Sequence, residues 1–344
     1  MIASSAVARW AWGRDDETAD ALVCCLRDLL LAYGVMAVHG FAAGDSAVRV
    51  SVSEAGRTRK VLFEGDFTVP SGVVGPKDAV GLLGSMVDEV RAGLEAGEIG
   101  SVDAFVECSG TVVLDVDGGQ SREEKLFRLG ASSFADFVTV DLVTHADVWL
   151  PYDLKGRPQH EVYVVNGPRL SAVLHDLAEV LESETDPDDP TYFAKPTESG
   201  AENFFDTDGA ASDVWGTFEV PSRYRVFAHA PGFGRIGYRR TAEGEVRYVA
   251  VRSEDARVLG FLWASDDENA ASFEPRDVGD DATYRAGLVW LERLRAAHDR
   301  GLSPSAALAE LSGLPDEQDA GRADRSGAGT LLLADLRRGR PLAD

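Results

Sequence analysis

Residues Gly232-Phe233-Gly234-Arg235-Ile236-Gly237 fit the dinucleotide fingerprint G-x-G-x-x-G. That chemistry needs a strand entering the first glycine and a helix leaving the last, so that backbone N–H groups and the helix N-terminus meet the diphosphate. An acidic residue about 20 positions on then takes the ribose hydroxyl. Here Pro231 precedes the motif, and Tyr238 to Arg252 has no apolar residues at helical spacing. The segment reads as a strand, an Ala-Glu-Gly-Glu turn and a second strand in which Val246, Tyr248 and Ala250 alternate with Arg247 and Val249. Asp255 stands at a suitable distance, but no βαβ unit intervenes. A hairpin presents no helix dipole to a phosphate, so the motif predicts a tight glycine bend and no NAD(H) or NADP(H).

The other candidate chemistries are weaker. His145-Ala146-Asp147 would place two donors on one strand face, with no second histidine near in sequence. His160-Glu161 and His175 are spread over a loop and a helix. Catalytic zinc needs three convergent ligands, and no such set is visible. Asp115-Val116-Asp117-Gly118 starts like a calcium loop, but Glu123 and Glu124 fall in the wrong register to close it. There is no G-x-S-x-G and no phosphate-binding loop. Cys24, Cys25 and Cys108 form no C-x-x-C, so neither a disulfide framework nor structural zinc is expected. No catalytic residue, cofactor or metal is assigned.

Charge is the strongest compositional signal. The 344 residues carry 58 acidic against 34 basic side chains, a net charge of −24. Nucleic-acid binding needs clustered Lys and Arg, which are absent before the tail, so no nucleic-acid partner is expected. No run of about 18 apolar residues stands out, so no membrane span is expected. The start, MIASSAVARWAWGRDDE, has no basic opening and no long apolar block, unlike a secretory signal. With three cysteines, this places the protein in the cytoplasm. An acidic chain attracts a basic partner. Two acidic clusters could serve: 182 to 189, and 265 to 268 with Glu274. Trp215, Trp263 and Phe273 near the second would supply buried hot-spot area. The predicted partner-binding residues are Trp263, Asp266, Asp267, Glu268, Glu274 and Trp215.

The elements that would position these residues follow from periodicity. Ala19, Leu22, Val23, Leu26, Leu29, Leu30 and Tyr33 predict a helix stopping at Gly34, followed by strands at 35–41, 47–52 and 59–69. Pro76 opens a helix with the stripe Val80, Leu83, Val87, Val90 and Leu94. Short strands at 105–108 and 111–116 flank a Ser109-Gly110 turn, and 134–150 and 161–165 are strand-like. A helix starts at Asn166-Gly167-Pro168 with Leu170, Val173, Leu174, Leu177, Val180 and Leu181 on one face. Ten acids and one lysine lie between Leu181 and Trp215, and with prolines at 187 and 190 they make 183–213 a long irregular acidic connection, part of which packs down through Tyr192, Phe193, Phe204 and Phe205. Strands at 224–228 and 258–263, a helix over 281–299 and a Ser303-capped helix with Pro304 at its first position complete the C-terminal part. The fold class is α+β with small helix-flanked antiparallel sheets in two domains, not a Rossmann fold. The boundaries are an N-terminal domain at 1–120, connecting strands and helix at 121–182, the acidic segment 183–213, a C-terminal domain at 214–315 and a loosely held tail from 316.

The segment Val258-Leu259-Gly260-Phe261-Leu262-Trp263-Ala264-Ser265-Asp266-Asp267-Glu268-Asn269-Ala270-Ala271-Ser272-Phe273-Glu274-Pro275-Arg276 resembles one found in uncharacterised actinomycete proteins, some of them suspected immunity or accessory partners of secreted toxins. Gly301-Leu302-Ser303-Pro304-Ser305-Ala306-Ala307-Leu308 shares the resemblance, which covers about a third of the chain and implies no particular chemistry. It implies a non-enzymatic binding protein. The functional expectation is a cytoplasmic protein-binding module, of immunity or chaperone-like type, that docks a basic partner through an acidic face. The alternative is an enzyme whose site is assembled from distant residues.

Overall fold

Ala21–Val38 is helical throughout and apolar on every side, with a mean hydropathy of 1.9 over its 18 residues. A helix of this kind belongs in a core. In the computed structural model, which describes residues 1–15, 20–114, 119–228, 235–315 and 320–338, two thirds of that helix is buried. It meets the length and apolarity of a membrane span, which the composition alone does not reveal, yet it lies among the buried residues of the main hydrophobic core. Its single acid, Asp28, is buried and meets Arg14 at 2.9 Å and Arg27 at 2.8 Å. The expected stop at Gly34 and strand at 35–41 are corrected here. A Cβ on Gly34 would lie 2.3 Å from Pro76 Cα, so this glycine admits a crossing backbone instead of ending the helix.

The chain forms two units, Met1–Val214 and Trp215–Asp344. In the first, β1 (Ala8–Asp15), α1 (Ala21–Val38), β2 (Ser46–Glu54), β3 (Arg57–Val69), α2 (Pro76–Val80), α3 (Leu83–Gly93), β4 (Ile99–Val113), β5 (Gln120–Phe134), β6 (Phe137–Thr144), α4 (His160–Leu181) and β7 (Asp186–Pro187) follow in order. The strands build one antiparallel sheet of order β3-β2-β4-β5-β6-β1-β7. A short hairpin of β8 (Lys195–Thr197) and β9 (Gly200–Glu202) follows. Alternation puts Val50, Ala104, Ala131, Val140 and Trp12 in one buried row, which packs with α1 and α4 in the core. The opposite row runs Asp66, Arg49, Phe105, Gly130, Asp141 and Ala11. One face of the sheet is thus covered and the other polar, as antiparallel sheets allow.

Several boundaries differ from the periodic reading. β4 is one 15-residue strand; Ser109-Gly110 is a bulge within it, not a turn, because Gly110 leaves room for Leu126 and Phe41. β5, which falls among the connecting strands expected at 121–182, pairs with both β4 and β6, so the sheet runs on through residue 120. α4 begins at His160, and Pro168 sits inside it. The buried Asn166 supports that stretch by donating to Val162 O at 2.9 Å and Val113 O at 2.8 Å.

The second unit opens on a π-helical turn at Trp215–Glu219 leading into α5 (Val220–Ala228), where a strand was expected. Arg223 explains the change: it reaches Glu219 at 2.6 Å one turn back and Asp281 at 2.7 Å, and packs on Trp215 and Tyr284. There follow β10 (Glu245–Arg252), β11 (Val258–Ser265), β12 (Ala270–Pro275), α6 (Asp281–Asp299), α7 (Pro304–Leu311), β13 (Arg322–Leu332) and α8 (Leu333–Arg337). The sheet order is β12-β11-β10-β13. Asp280 and Ser303 cap α6 and α7 by accepting from Thr283 N and Ala306 N. The expectation of a loosely held tail is corrected over 320–338, where β13 pairs along β10 and α8 buries Leu333 and Leu336.

Candidate functional site

Gly232, Phe233 and Gly234 lie outside the described residues. Arg235 to Gly237 follow α5, not a strand, and residues 238–244 are irregular; the expected hairpin is absent because β10 pairs with β11 and β13 instead. Gly237 has φ +86°, and a Cβ there would come within 2.2 Å of the His298 ring, so its role is a close approach to α6. Asp115 to Gly118 also lie outside the described residues.

The remaining chemical candidates have structural partners. Asp147 is fully buried and accepts from the Met1 amino terminus and from Leu154 N; burial pushes its carboxyl up. All three cysteines are buried, and burial pushes the Cys25 and Cys108 thiols up, away from the thiolate that nucleophilic chemistry needs. His175, Asp176 and Glu179 bring three donor atoms within 4.8 Å of one another on α4. His39, the C-cap of α1, meets Asp176 at 2.7 Å. Sequence reading treats these histidines as scattered; helix spacing i, i+1, i+4 is the signal that gathers three of the groups.

The six predicted docking residues do not form an exposed patch. Trp263 and Trp215 are 0% and 1% exposed, and neighbouring Phe273 is 0% exposed, so all three are core side chains. Asp266 accepts from Ser305 N at 2.8 Å and from Ser305 Oγ, and these bonds draw its carboxyl below the usual range. Glu268 accepts from Glu243 N and Gly244 N at 2.7 and 2.9 Å. Glu274 is buried against Arg337 at 3.1 Å, with burial pushing its carboxyl up. Asp267 is exposed on the β11–β12 turn. Of the six, Trp215, Trp263 and Glu274 are buried, Asp266 and Asp267 are exposed, and Asp266 and Glu268 accept backbone N–H groups.

The unit boundary relocates the charge. Residues 1–214 contain 37 acidic and 16 basic side chains, whereas 215–344 contain 21 and 18. The excess acid therefore belongs to the first unit. Its densest run is the segment 182–213, where Glu182, Glu184, Asp186, Asp188, Asp189, Glu198, Glu202, Asp206, Asp208 and Asp213 are all exposed.

This segment is a strap tied to the sheet edge. Ser183 Oγ donates to Gly13 O, Asp188 N to Arg9 O and Thr191 Oγ1 to Val7 O, at 3.0, 3.1 and 2.7 Å. Trp12 donates to Thr185 Oγ1 at 3.1 Å and Trp10 to Thr197 O at 2.8 Å. Asn203 exchanges two hydrogen bonds with the Tyr152 backbone, and Phe193 is buried beneath the strap. With its backbone so held, the strap presents Tyr192 and Phe205, 70% and 55% exposed, among the acids. Phe205 is braced edge-on by Tyr152 at 5.8 Å. Of the four aromatics expected to pack down, Phe193 is buried and Phe204 half-buried, whereas Tyr192 and Phe205 are exposed.

No protein-family model, curated protein or solved structure matches the chain.

Proposed function

We propose that the protein is a cytoplasmic, non-enzymatic binding module whose first unit docks a basic protein, in the manner of an immunity or chaperone-like accessory protein. The observation that carries this reading is the strap 182–213: ten exposed carboxylates around two exposed aromatic rings, on a backbone already fixed by hydrogen bonds to β1. Exposed aromatics flanked by charge are the composition of interface hot spots. A preformed strap loses little conformational freedom on binding, which favours affinity. The carboxylates speed encounter and select a partner of opposite sign.

The test is parallel affinity capture from the native host with the wild-type chain and with Glu184→Lys/Asp189→Lys/Glu198→Lys. All three side chains are exposed, so the variant should fold. The reading expects a partner with a basic surface that the wild type retains and the triple variant loses. Retention of the same partners at equal yield by both folded proteins would place the interface elsewhere.

A further inference from the structure

The outward side of α4 gathers three donors of the kind that hold a divalent ion. His175, Asp176 and Glu179 each offer one atom, and the three atoms lie within 4.8 Å of one another. His175 Nε2 is 3.5 Å from Glu179 Oε1. A tetrahedral zinc ion with bonds of about 2.1 Å spaces its donors roughly 3.4 Å apart, so the set is already close to a ligating arrangement. Helix geometry explains the grouping, since residues four and three apart are neighbours on the surface. Leu170, Val173, Leu174, Leu177 and Leu181 take the buried side of α4 and fix the backbone beneath the donors. His175 and Glu179 are exposed and Asp176 is half-buried, so an ion reaches all three from solvent.

A second element completes the arrangement. His39, the C-cap of α1, meets Asp176 Oδ2 from Nε2 at 2.7 Å. With its proton on Nε2, His39 donates to Asp176, holds the carboxylate in one rotamer and leaves Oδ1 for an ion, as groups behind metal ligands do. The field here favours a cation. Helix C-termini carry negative partial charge. His39 closes α1, Glu179 lies in the last turn of α4, and neither last turn contains a basic residue. Arg169 approaches His39 O at 3.4 Å, but it is anchored by Thr111 O at 2.9 Å and over the Phe41 ring at 4.3 Å. The surrounding unit has 37 acids against 16 bases.

We infer that His175, Asp176 and Glu179 bind one divalent transition-metal ion of the zinc type, with His39 orienting Asp176. Three protein ligands leave a further position to water. One imidazole nitrogen with two carboxylate oxygens suits zinc and its transition-metal neighbours, whereas magnesium and calcium prefer oxygen ligands throughout. The four side chains lie outside the strap 182–213, so this site and the docking reading can fail separately.

The experiment is calorimetric titration of the untagged full chain, treated with EDTA and desalted, with zinc chloride at neutral pH, beside calcium and magnesium chloride. The expected result is one saturable zinc site per chain and no saturable heat with calcium or magnesium. Zinc affinity should fall about tenfold or more in His175→Gln/Glu179→Gln, since losing even a group behind a ligand costs that much. Both side chains are exposed, so circular dichroism should match the wild type. His39→Ala should weaken zinc severalfold, and His39→Gln, which restores a donor to Asp176, should recover much of the loss; equal zinc affinity in both His39 variants and the wild type would overturn its positioning role. Absence of saturable heat with zinc, unchanged affinity in the folded double variant, or calcium binding as tight as zinc would each overturn the site.

Discussion

Trp263→Ala separates a core tryptophan from a docking one. Trp263 is fully buried on β11, within a cluster that includes Val246, Phe261, Leu333 and Leu336. Truncating a buried aromatic to alanine costs about 3–5 kcal/mol in lost transfer energy and cavity. For a unit of this size each kcal/mol lowers Tm by about 3–5 °C, so the transition of the second unit should fall by on the order of 10–20 °C. The indole Nε1 has no hydrogen-bond partner among the described residues. Trp263→Phe removes that buried donor, recovering part of the ~1–3 kcal/mol its desolvation costs, and should be much milder than Ala. Differential scanning calorimetry on the three proteins reads both steps. If Trp263→Ala left Tm within a degree or two and weakened partner capture instead, the packing argument would be refuted.

Further outcomes follow from charge. Burial pushes up the carboxyls of Asp141, Asp147 and Glu274. Each contributes stability that is complete below its unfolded pKa and is lost as pH rises through the raised folded value. Repulsion within the acidic first unit acts in the same direction. Asp66 and Asp324, held low by bonds from Arg49 and Ser326, act oppositely and lose their contribution below about pH 4. Melting temperature should therefore rise from pH 8 toward pH 5 and fall below 4; a steady rise from 5 to 8 would contradict this. Asp28→Ala removes the buried acceptor that Arg14 and Arg27 share and should cost about 1–3 kcal/mol in urea unfolding, with Asp28→Asn costing less. EDTA should leave Tm unchanged, because the His175, Asp176 and Glu179 donors are half-buried or exposed while Leu170, Val173, Leu174 and Leu177 hold α4 from its buried side; a drop of many degrees would reveal a structural metal.

Some elements were legible because their signals are local. Asp280 and Ser303 cap their helices as their types suggest, and β2, β3 and β11 carry enough apolar residues to show. Others depend on distant partners. β13 has few apolar residues and is a strand because β10 pairs with it. The Val162-Tyr163-Val164-Val165 run resembles a strand, yet Asn166 and the packing of α4 draw it into a helix. The acids of the candidate site were readable one by one, but which of them stay exposed was not, because that depends on what packs against each carboxylate. Nor can composition tell that Trp263 faces inward while Tyr192 stays exposed, since that is decided by what packs above each ring.

The docking claim is tested most directly by the association rate of the captured partner as a function of salt. Steering by the strap requires a rate that falls steeply as salt rises toward 0.5 M, where the Debye length shrinks to about 4 Å. In Glu184→Lys/Asp189→Lys/Glu198→Lys the rate should be lower at low salt and its salt dependence nearly flat. Equal slopes for the two proteins, with equal rates at low salt, would contradict the strap as the surface that meets the partner.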